Sequence, residues 1–366
     1  MGDSTKFKKF NALATSSKIA ICGLPLRVDS YKFCSFGCKY CFSNNRKIGE
    51  VSRYLQIANV QNFKNTLKRV HEDSNINKES LIDNLLAEDI TLHWGGCSDP
   101  FQPVEGVLGI TQQLVDISNK YNKSILFSTK SANLYNVDIR PDLHSFQFSF
   151  SSSKDNPELE PNVPKFKDRL ALYKELKAKG FKVGIRVQPF IPNYTDTELV
   201  DIFKDADYFT IEGLKIVPQN EDQKQFVFDK LNIPKSHFKG KGLIQLREDI
   251  RIGMYKDFIS RLNFYGIPFS IADNDMRKIS SSNCCCGQPL IKKSTDFNTT
   301  AMLYNYGSDY SLQDTLKNCS CNLLNSKAEH LFTSNRRNGC YTLEDFYKER
   351  FDKKNNPFSP QYQIIK

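Results

Sequence analysis

Cys34-Ser-Phe-Gly-Cys38-Lys-Tyr-Cys41 directly follows an apolar run, Leu26–Phe33, that reads as a strand. Its spacings of three and two residues let one loop wrap three thiolates around three corners of a cubane iron–sulfur cluster. Gly37 relaxes the backbone where the loop must curl tightly, and the aromatic residues Phe36, Tyr40 and Phe42 can shield the metal. A structural zinc ion usually takes a fourth ligand nearby, and none of the five histidines is close in sequence. Zinc or a chance spacing stays open at this point, but three ligands leave one iron free for chemistry.

Working outward, strand-like runs at Ile90–Trp94, Ser124–Ser128, Ser145–Ser151, Lys182–Gln188, Tyr208–Lys215 and Pro268–Ala272 follow the first. Between them lie helical patterns at Thr111–Lys120, Lys165–Lys179, Asp196–Phe203 and Asp249–Tyr265. Strands alternating with helices of this length give βα units around a parallel sheet. No Gly-rich dinucleotide loop follows the first strand, so an α/β fold of the partial-barrel kind is favoured over a Rossmann sheet. Residues 1–24 read as a leader beside the core, 25–275 as the barrel, and 276–366 as a cysteine-rich C-terminal extension.

The bulk composition sets limits. A hydrophobic content of 39% and a charged content of 25% are ordinary for a globular chain of 366 residues. No apolar run is long enough to cross a bilayer, and no secretory segment opens the chain. Met1-Gly2 is followed by Lys6 where N-myristoylation expects Ser or Thr. A cytoplasmic protein with no membrane partner is expected. Eleven cysteines then suit metal ligation better than disulfides. The net charge of +10 permits DNA, RNA or a nucleotide as partner, and equally a lysine-rich solvated surface.

A second motif, His93-Trp-Gly-Gly-Cys-Ser-Asp-Pro-Phe-Gln-Pro-Val-Glu105, closes the second strand. With the cysteine loop, it resembles the radical S-adenosylmethionine (SAM) superfamily. Its Ser-Asp-Pro-Phe-Gln-Pro-x-Glu continuation is similar to the spore photoproduct lyase-like, or "DNA repair photolyase", branch. Ser128-Thr-Lys-Ser131, Glu160-Pro-x-x-Pro164, Arg169-Leu170 and Pro189-Phe-Ile-Pro192 are also similar to that branch. The resemblance spans about residues 25–275 and implies a (β/α)6-type radical SAM barrel. It implies a [4Fe–4S] cluster on Cys34, Cys38 and Cys41, with the open iron chelating SAM. One electron, from a reductant such as flavodoxin or ferredoxin, would then release a 5′-deoxyadenosyl radical that abstracts hydrogen from the substrate. By the same resemblance Gly95 and Gly96 line the methionyl end of SAM, Lys130 faces its carboxylate, and Ser149 or Ser151 touches it. Cys97 would return hydrogen to a substrate radical. Each also has a plainer reading: a turn for the glycines, polar strand positions for the serines, an inert thiol for Cys97.

The extension carries Cys284, Cys285, Cys286, Cys319, Cys321 and Cys340. They suit a second iron–sulfur cluster or a zinc site, with the Cys284 segment near the barrel mouth and approaching Cys319, Cys321 or Cys340; reduced structural or redox thiols are the alternative. Asp99 and Glu105 suit orientation of cofactor or substrate, or a turn. In the basic helix after Lys165, Phe166, Leu170, Tyr173 and Leu176 are expected to pack inward, leaving lysines in solvent. Three functions remain: radical chemistry on a nucleic acid or nucleotide, the same chemistry on a peptide, protein or small metabolite, and a non-catalytic metal-binding nucleic-acid module. An open iron argues against the last.

Overall fold

The computed structural model describes residues 7–16, 19, 22–41, 43, 54–73, 75–240, 244–282, 284, 287–291, 297, 311–328 and 342–351. Its centre is an eight-stranded sheet of β1 (Leu13–Thr15), β2 (Leu26–Val28), β3 (Leu92–Trp94), β4 (Ile125–Thr129), β5 (His144–Ser149), β6 (Lys182–Phe190), β7 (Phe209–Gly213) and β8 (Phe269–Ile271). Strands β2 to β8 are parallel neighbours in chain order, and β1 runs antiparallel to β2. The sheet stays open, with β8 and β1 as its edges. This is the expected partial barrel, its seven parallel strands falling on the seven apolar runs.

Period-2 alternation sorts each strand. Phe146 and Phe148 on β5, Val183, Ile185 and Val187 on β6, and Phe209 and Ile211 on β7 all point outward into the main apolar core. Helices α1 (Val60–His71), α2 (Leu81–Ala87), α3 (Ile110–Lys120), α4 (Phe166–Ala178), α5 (Glu198–Ile202) and α6 (Glu248–Phe264) supply the covering layer. In α1, Phe63, Leu67 and Val70 are buried at helical spacing, and the Asn59 side chain caps its start by accepting from the Asn62 N–H at 3.1 Å. Strand positions between the outward ones (Ser128, Gln147, Ser149, Arg186, Gln188, Glu212) face the lumen, which is therefore polar.

On α4, Phe166, Leu170, Tyr173 and Leu176 pack against the main core as expected, the first two half-buried, and Arg169 and Leu172 join the buried face. Arg169 is held inside because its guanidinium bonds to the Ser149 carbonyl at 3.0 Å and stacks on Phe150. The flanking Lys165, Lys167, Lys174 and Lys179 are exposed, as expected.

Contrary to expectation, Cys284 does not reach the mouth. After β8 the chain turns back antiparallel to it, with the Ile271 N–H on Ser280 Oγ and the Ser281 N–H on the Phe269 carbonyl. Cys284 thus arrives at the N-terminal ends of the strands, packed with Cys22, Leu24, Leu126, Tyr208, Leu290 and Ile291. Ser145 donates to the Leu290 carbonyl at 2.7 Å. A Cβ on Gly184 would lie 2.8 Å from Leu290 and 2.9 Å from the Tyr208 carbonyl, so glycine is what lets this plug seat. Further on, Leu323, Ala328, Leu343, Phe346 and Tyr347 join the main core.

Leu290→Ala removes the middle of the plug and is expected to cost about 2–5 kcal/mol, as buried Leu→Ala changes do. Urea denaturation reads this; a loss no larger than a surface substitution gives would show that the segment does not seal the barrel.

Candidate functional site

The cysteine loop has little regular structure of its own, so other loops hold its backbone. Gln102 does so from one side, accepting from the Ser35 N–H at 2.8 Å and donating to the Phe33 carbonyl at 3.1 Å. From the other, the Lys39 N–H bonds to the Leu159 carbonyl at 3.0 Å and the Asn162 side chain to the Ser35 carbonyl at 2.9 Å. Gln223 donates to the Tyr40 carbonyl at 3.0 Å. Gly37 sits at φ +64°, where the turn needs it.

So held, Cys34, Cys38 and Cys41 line one cavity of about 540 Å³ at the C-terminal ends of the strands, with Gly95, Gly96, Cys97, Lys130 and Ser149. Phe36, Tyr40, Leu159, Ile191 and Leu246 form an apolar shell around the loop; Phe42 lies outside the described residues. Burial pushes the Cys34 thiol up to about 12 and Cys38 also up. A metal bound here would have to displace their protons. Among the described residues no three His, Cys, Asp or Glu side chains close around a single ion. Three thiols spread around a cavity fit a multi-iron cluster, whose sulfides fill the space between the irons.

The 93–105 motif acts mostly as a clasp. Ser98 donates to the Tyr31 carbonyl at 2.6 Å. Asp99 accepts from the Phe101 N–H at 2.9 Å, Thr129 Oγ1 at 2.8 Å and the Lys130 N–H at 2.6 Å, tying β3 to the end of β4. Glu105 accepts from the Thr111 and Gln112 N–H groups at 2.8 and 2.9 Å, capping the start of α3, and from the Tyr31 hydroxyl. Gly95 takes φ +91°, and a Cβ there would fall 2.3 Å from the Ser128 carbonyl oxygen. At Gly96 a Cβ would meet only the end of the Arg27 side chain, at 2.7 Å.

A carboxylate the sequence reading gave no role gathers the rest. Glu160 receives Lys130 Nζ at 2.9 Å, Ser151 Oγ at 3.0 Å and the Tyr40 hydroxyl, with Arg169 Nη2 at 3.8 Å. Burial alone would raise its pKa, but Lys130 and Arg169 beside it and the bonds from Tyr40 and Lys130 hold it down to about 2. Ser151 therefore serves Glu160, and it is absent from the cavity lining that Ser149 joins. Tyr40 and Glu160 stand 120 positions apart, and no local pattern signals their contact. The inward Arg186 and Gln188 were legible from alternation along β6.

Cys97 is exposed to the cavity, its N–H bonded to Asp29 Oδ1 at 2.9 Å. Its partly enclosed surroundings, and then the Asp29 charge, push the thiol up to about 12. In the extension, Cys284 belongs to the plug while Cys319 packs against the main core, so the described thiols do not converge. Cys285, Cys286 and Cys340 lie outside the described residues.

The fold is the open barrel of the radical SAM enzymes. Among solved structures it is shared by spore photoproduct lyase complexed with dinucleoside spore photoproduct, at TM-score 0.53 and 16% identity over 71% of this chain and 78% of that one. A mutant of spore photoproduct lyase with bound AdoMet and dinucleoside spore photoproduct gives TM-score 0.50 and 16% identity over 70% and 79%. Streptococcus suis SuiB bound to S-adenosylmethionine gives TM-score 0.42 and 13% identity over 70% and 52%, too low to weigh on function. No family model and no curated protein matches the chain.

Glu160→Gln is expected to cost about 3 kcal/mol at neutral pH, the scale of breaking a buried ion pair. The folded carboxyl titrates near 2, below its ordinary value of 4.5. Its contribution is therefore complete above that ordinary value and is lost as pH falls through the folded one. Urea denaturation of the metal-free chains checks this; a wild-type advantage that does not shrink toward acid pH refutes the hub. Separately, Gly95→Ala is expected to cost about 1–3 kcal/mol through backbone strain, more than Gly96→Ala. Equal losses on denaturation would contradict the close approach at Ser128.

Proposed function

We propose that this chain is a radical SAM enzyme that binds a [4Fe–4S] cluster through Cys34, Cys38 and Cys41 and acts on a nucleic acid or nucleotide. The observation that carries the reading is the meeting of three cysteines of one loop with Gly95, Gly96 and Lys130 on a single cavity at the C-terminal ends of parallel strands. When bound, the cluster and SAM supply the 5′-deoxyadenosyl radical, the oxidising species of the reaction.

The chain's own residues do the positioning. The apolar shell around the loop excludes water from the metal. Gly95 and Gly96 offer backbone to the methionyl group, Lys130 offers a charge that Glu160 holds in place, and Ser149 offers a hydroxyl from the end of β5. Cys97 stays protonated at neutral pH and so holds an S–H bond. Its hydrogen atom can pass to a substrate carbon radical, forming C–H and leaving a thiyl.

The nucleic-acid class rests on the spore photoproduct lyase complexes with a dinucleoside and on the net charge of +10. Modification of a peptide, protein or small metabolite is the alternative. An electron from a flavodoxin or ferredoxin suits a cluster this close to the mouth. A second iron–sulfur or zinc site in the extension would draw on the cysteines outside the described residues.

Anaerobic reconstitution with iron and sulfide, followed by reductant and SAM, tests the reading. Wild type is expected to hold about four irons in this site and to release 5′-deoxyadenosine; the Cys34/Cys38/Cys41 triple alanine is expected to lose both. Equal iron and equal product in the two proteins would overturn the proposal. Iron or zinc kept by the triple variant would report the second site.

A further inference from the structure

Several charged groups line the cavity, and most are answered from within the chain. Lys130 pairs with Glu160, and Lys215 pairs with Glu212 and with Asp273. Arg186, inward on β6 beside Ser149 of β5 and Thr210 of β7, differs. Its hydrogen bond runs from Nη1 to Gln147 Oε1 at 3.2 Å, and among the described residues no carboxylate pairs with it. Gln147 is itself held, donating to Thr210 Oγ1 at 3.0 Å, so the guanidinium is aimed by a fixed neighbour.

Two further polar groups open onto the same cavity. Gln188, two residues along the inward face of β6, has a buried Oε1 with no hydrogen-bond partner. His93 on β3 is 2% exposed and has Nε2 on Ser128 Oγ at 3.2 Å, while its buried Nδ1 has no partner. Burial, then the charges of Arg27 and Arg186, hold His93 well below its usual pKa, so it is a neutral ring able to donate from Nδ1. Buried polar atoms left unsatisfied cost free energy, and the half-buried Arg186 guanidinium has more N–H groups than its one bond to Gln147 uses. A ligand that satisfies all of them together carries an oxyanion for Arg186 and His93, and a donor for Gln188.

We infer that the lumen holds an oxyanion subsite, formed by Arg186 with His93 beside the acceptor Gln188 Oε1, that takes a terminal phosphate or carboxylate of the substrate. The inference rests on the enzymatic reading above and sharpens it. The polar lumen is backed at the N-terminal ends of the strands by the Leu290 plug, so an end group enters it more readily than the middle of a continuous duplex. A nucleotide or strand end fits the phosphate form.

Binding measured anaerobically on the reconstituted, SAM-loaded protein tests this with matched probes. Uridine 5′-monophosphate is compared with uridine, and N-acetylglycine with its amide. One anionic probe is expected to bind at least about tenfold more tightly than its neutral partner, the scale of a charge-assisted bidentate contact. Which of the two does so names the group. Arg186→Gln is expected to erase the preference. No preference in either pair, or a preference that survives Arg186→Gln, overturns the inference. So does loss of SAM binding in Arg186→Gln with the preference intact, since Arg186 would then serve the cofactor's carboxylate. If Arg186→Gln fails to fold, Arg186→Lys replaces it: the charge without the fork is expected to weaken the preference, and an undiminished one refutes the site. Iron content and SAM binding are read separately. If both fail, the probes are still measured on the metal-free chain, so the subsite and the enzymatic reading fall independently.

Discussion

The loop proposed to present three thiols to one cluster has no helix or strand of its own to fix it, so its shape comes from bonds made elsewhere. The buried Glu160 carboxylate is where those bonds meet. It joins Tyr40 of the cysteine loop to Lys130 at the end of β4 and Ser151 beyond β5, with Arg169 of α4 close by. A carboxylate taken out of water is tolerable only with compensating charge and hydrogen bonds, and here two cations and two hydroxyls surround it. The arrangement sets the loop's position relative to Lys130, the group proposed to meet SAM. Gln102 and Asn162 fix the other side of the loop through its backbone. Removing any one leaves the others; Glu160 couples Tyr40 to the strand ends through hydrogen bonds, and Lys130 Nζ also stands 5.5 Å from the centre of the Tyr40 ring.

The barrel divides its interior by polarity. Around the cysteine loop the wall is apolar, built by Phe36, Leu159, Ile191, Leu231 and Leu246. Lower down, the same strands present Ser128, Gln147, Arg186 and Gln188. A low-dielectric surrounding protects a metal centre and its radical chemistry from water. A polar lumen instead recognises and orients a polar molecule. One fold serves both because successive strand residues alternate between lumen and helices, leaving the apolar cap to loops beyond the strands.

Much of this was legible in the sequence because parallel strands buried on one face by helices carry dense apolar runs, and the motif cysteines stand within one loop. The seven parallel strands and helices α3 to α6 follow directly from that pattern, whereas α1 and α2 were not read from it. The β1 edge strand did not, since three residues, Leu13–Thr15, are too short to show a period and pair with β2 only through tertiary contact. The clasp roles of Asp99 and Glu105 were hidden for another reason: a carboxylate near a glycine turn looks the same whether it binds a ligand or backbone N–H groups. Glu160 and Arg169 were visible as motif residues, but the contacts that give them meaning bridge distant segments.

The plug changes how the two ends of the barrel relate. Chain order alone suggested that the segment after β8 would stay near the mouth, where β8 ends. Hydrogen bonds between β8 and the residues Ser280 and Ser281 instead carry it to the opposite end. There Leu290 and Cys284 meet Leu126 and Tyr208 in an apolar seal. Glycine at 184 and at 287 is what allows the approach, for a side chain at either would collide with Leu290 or Gln147. Closing one end with hydrocarbon leaves the loop-lined mouth and the gap between the β1 and β8 edges as approaches to the polar lumen among the described residues. A substrate entering by the mouth would pass the cysteine loop, Gly96 and Cys97 on its way to Arg186. The same geometry that seals the barrel places the reacting part of a bound molecule beside the groups proposed to act on it.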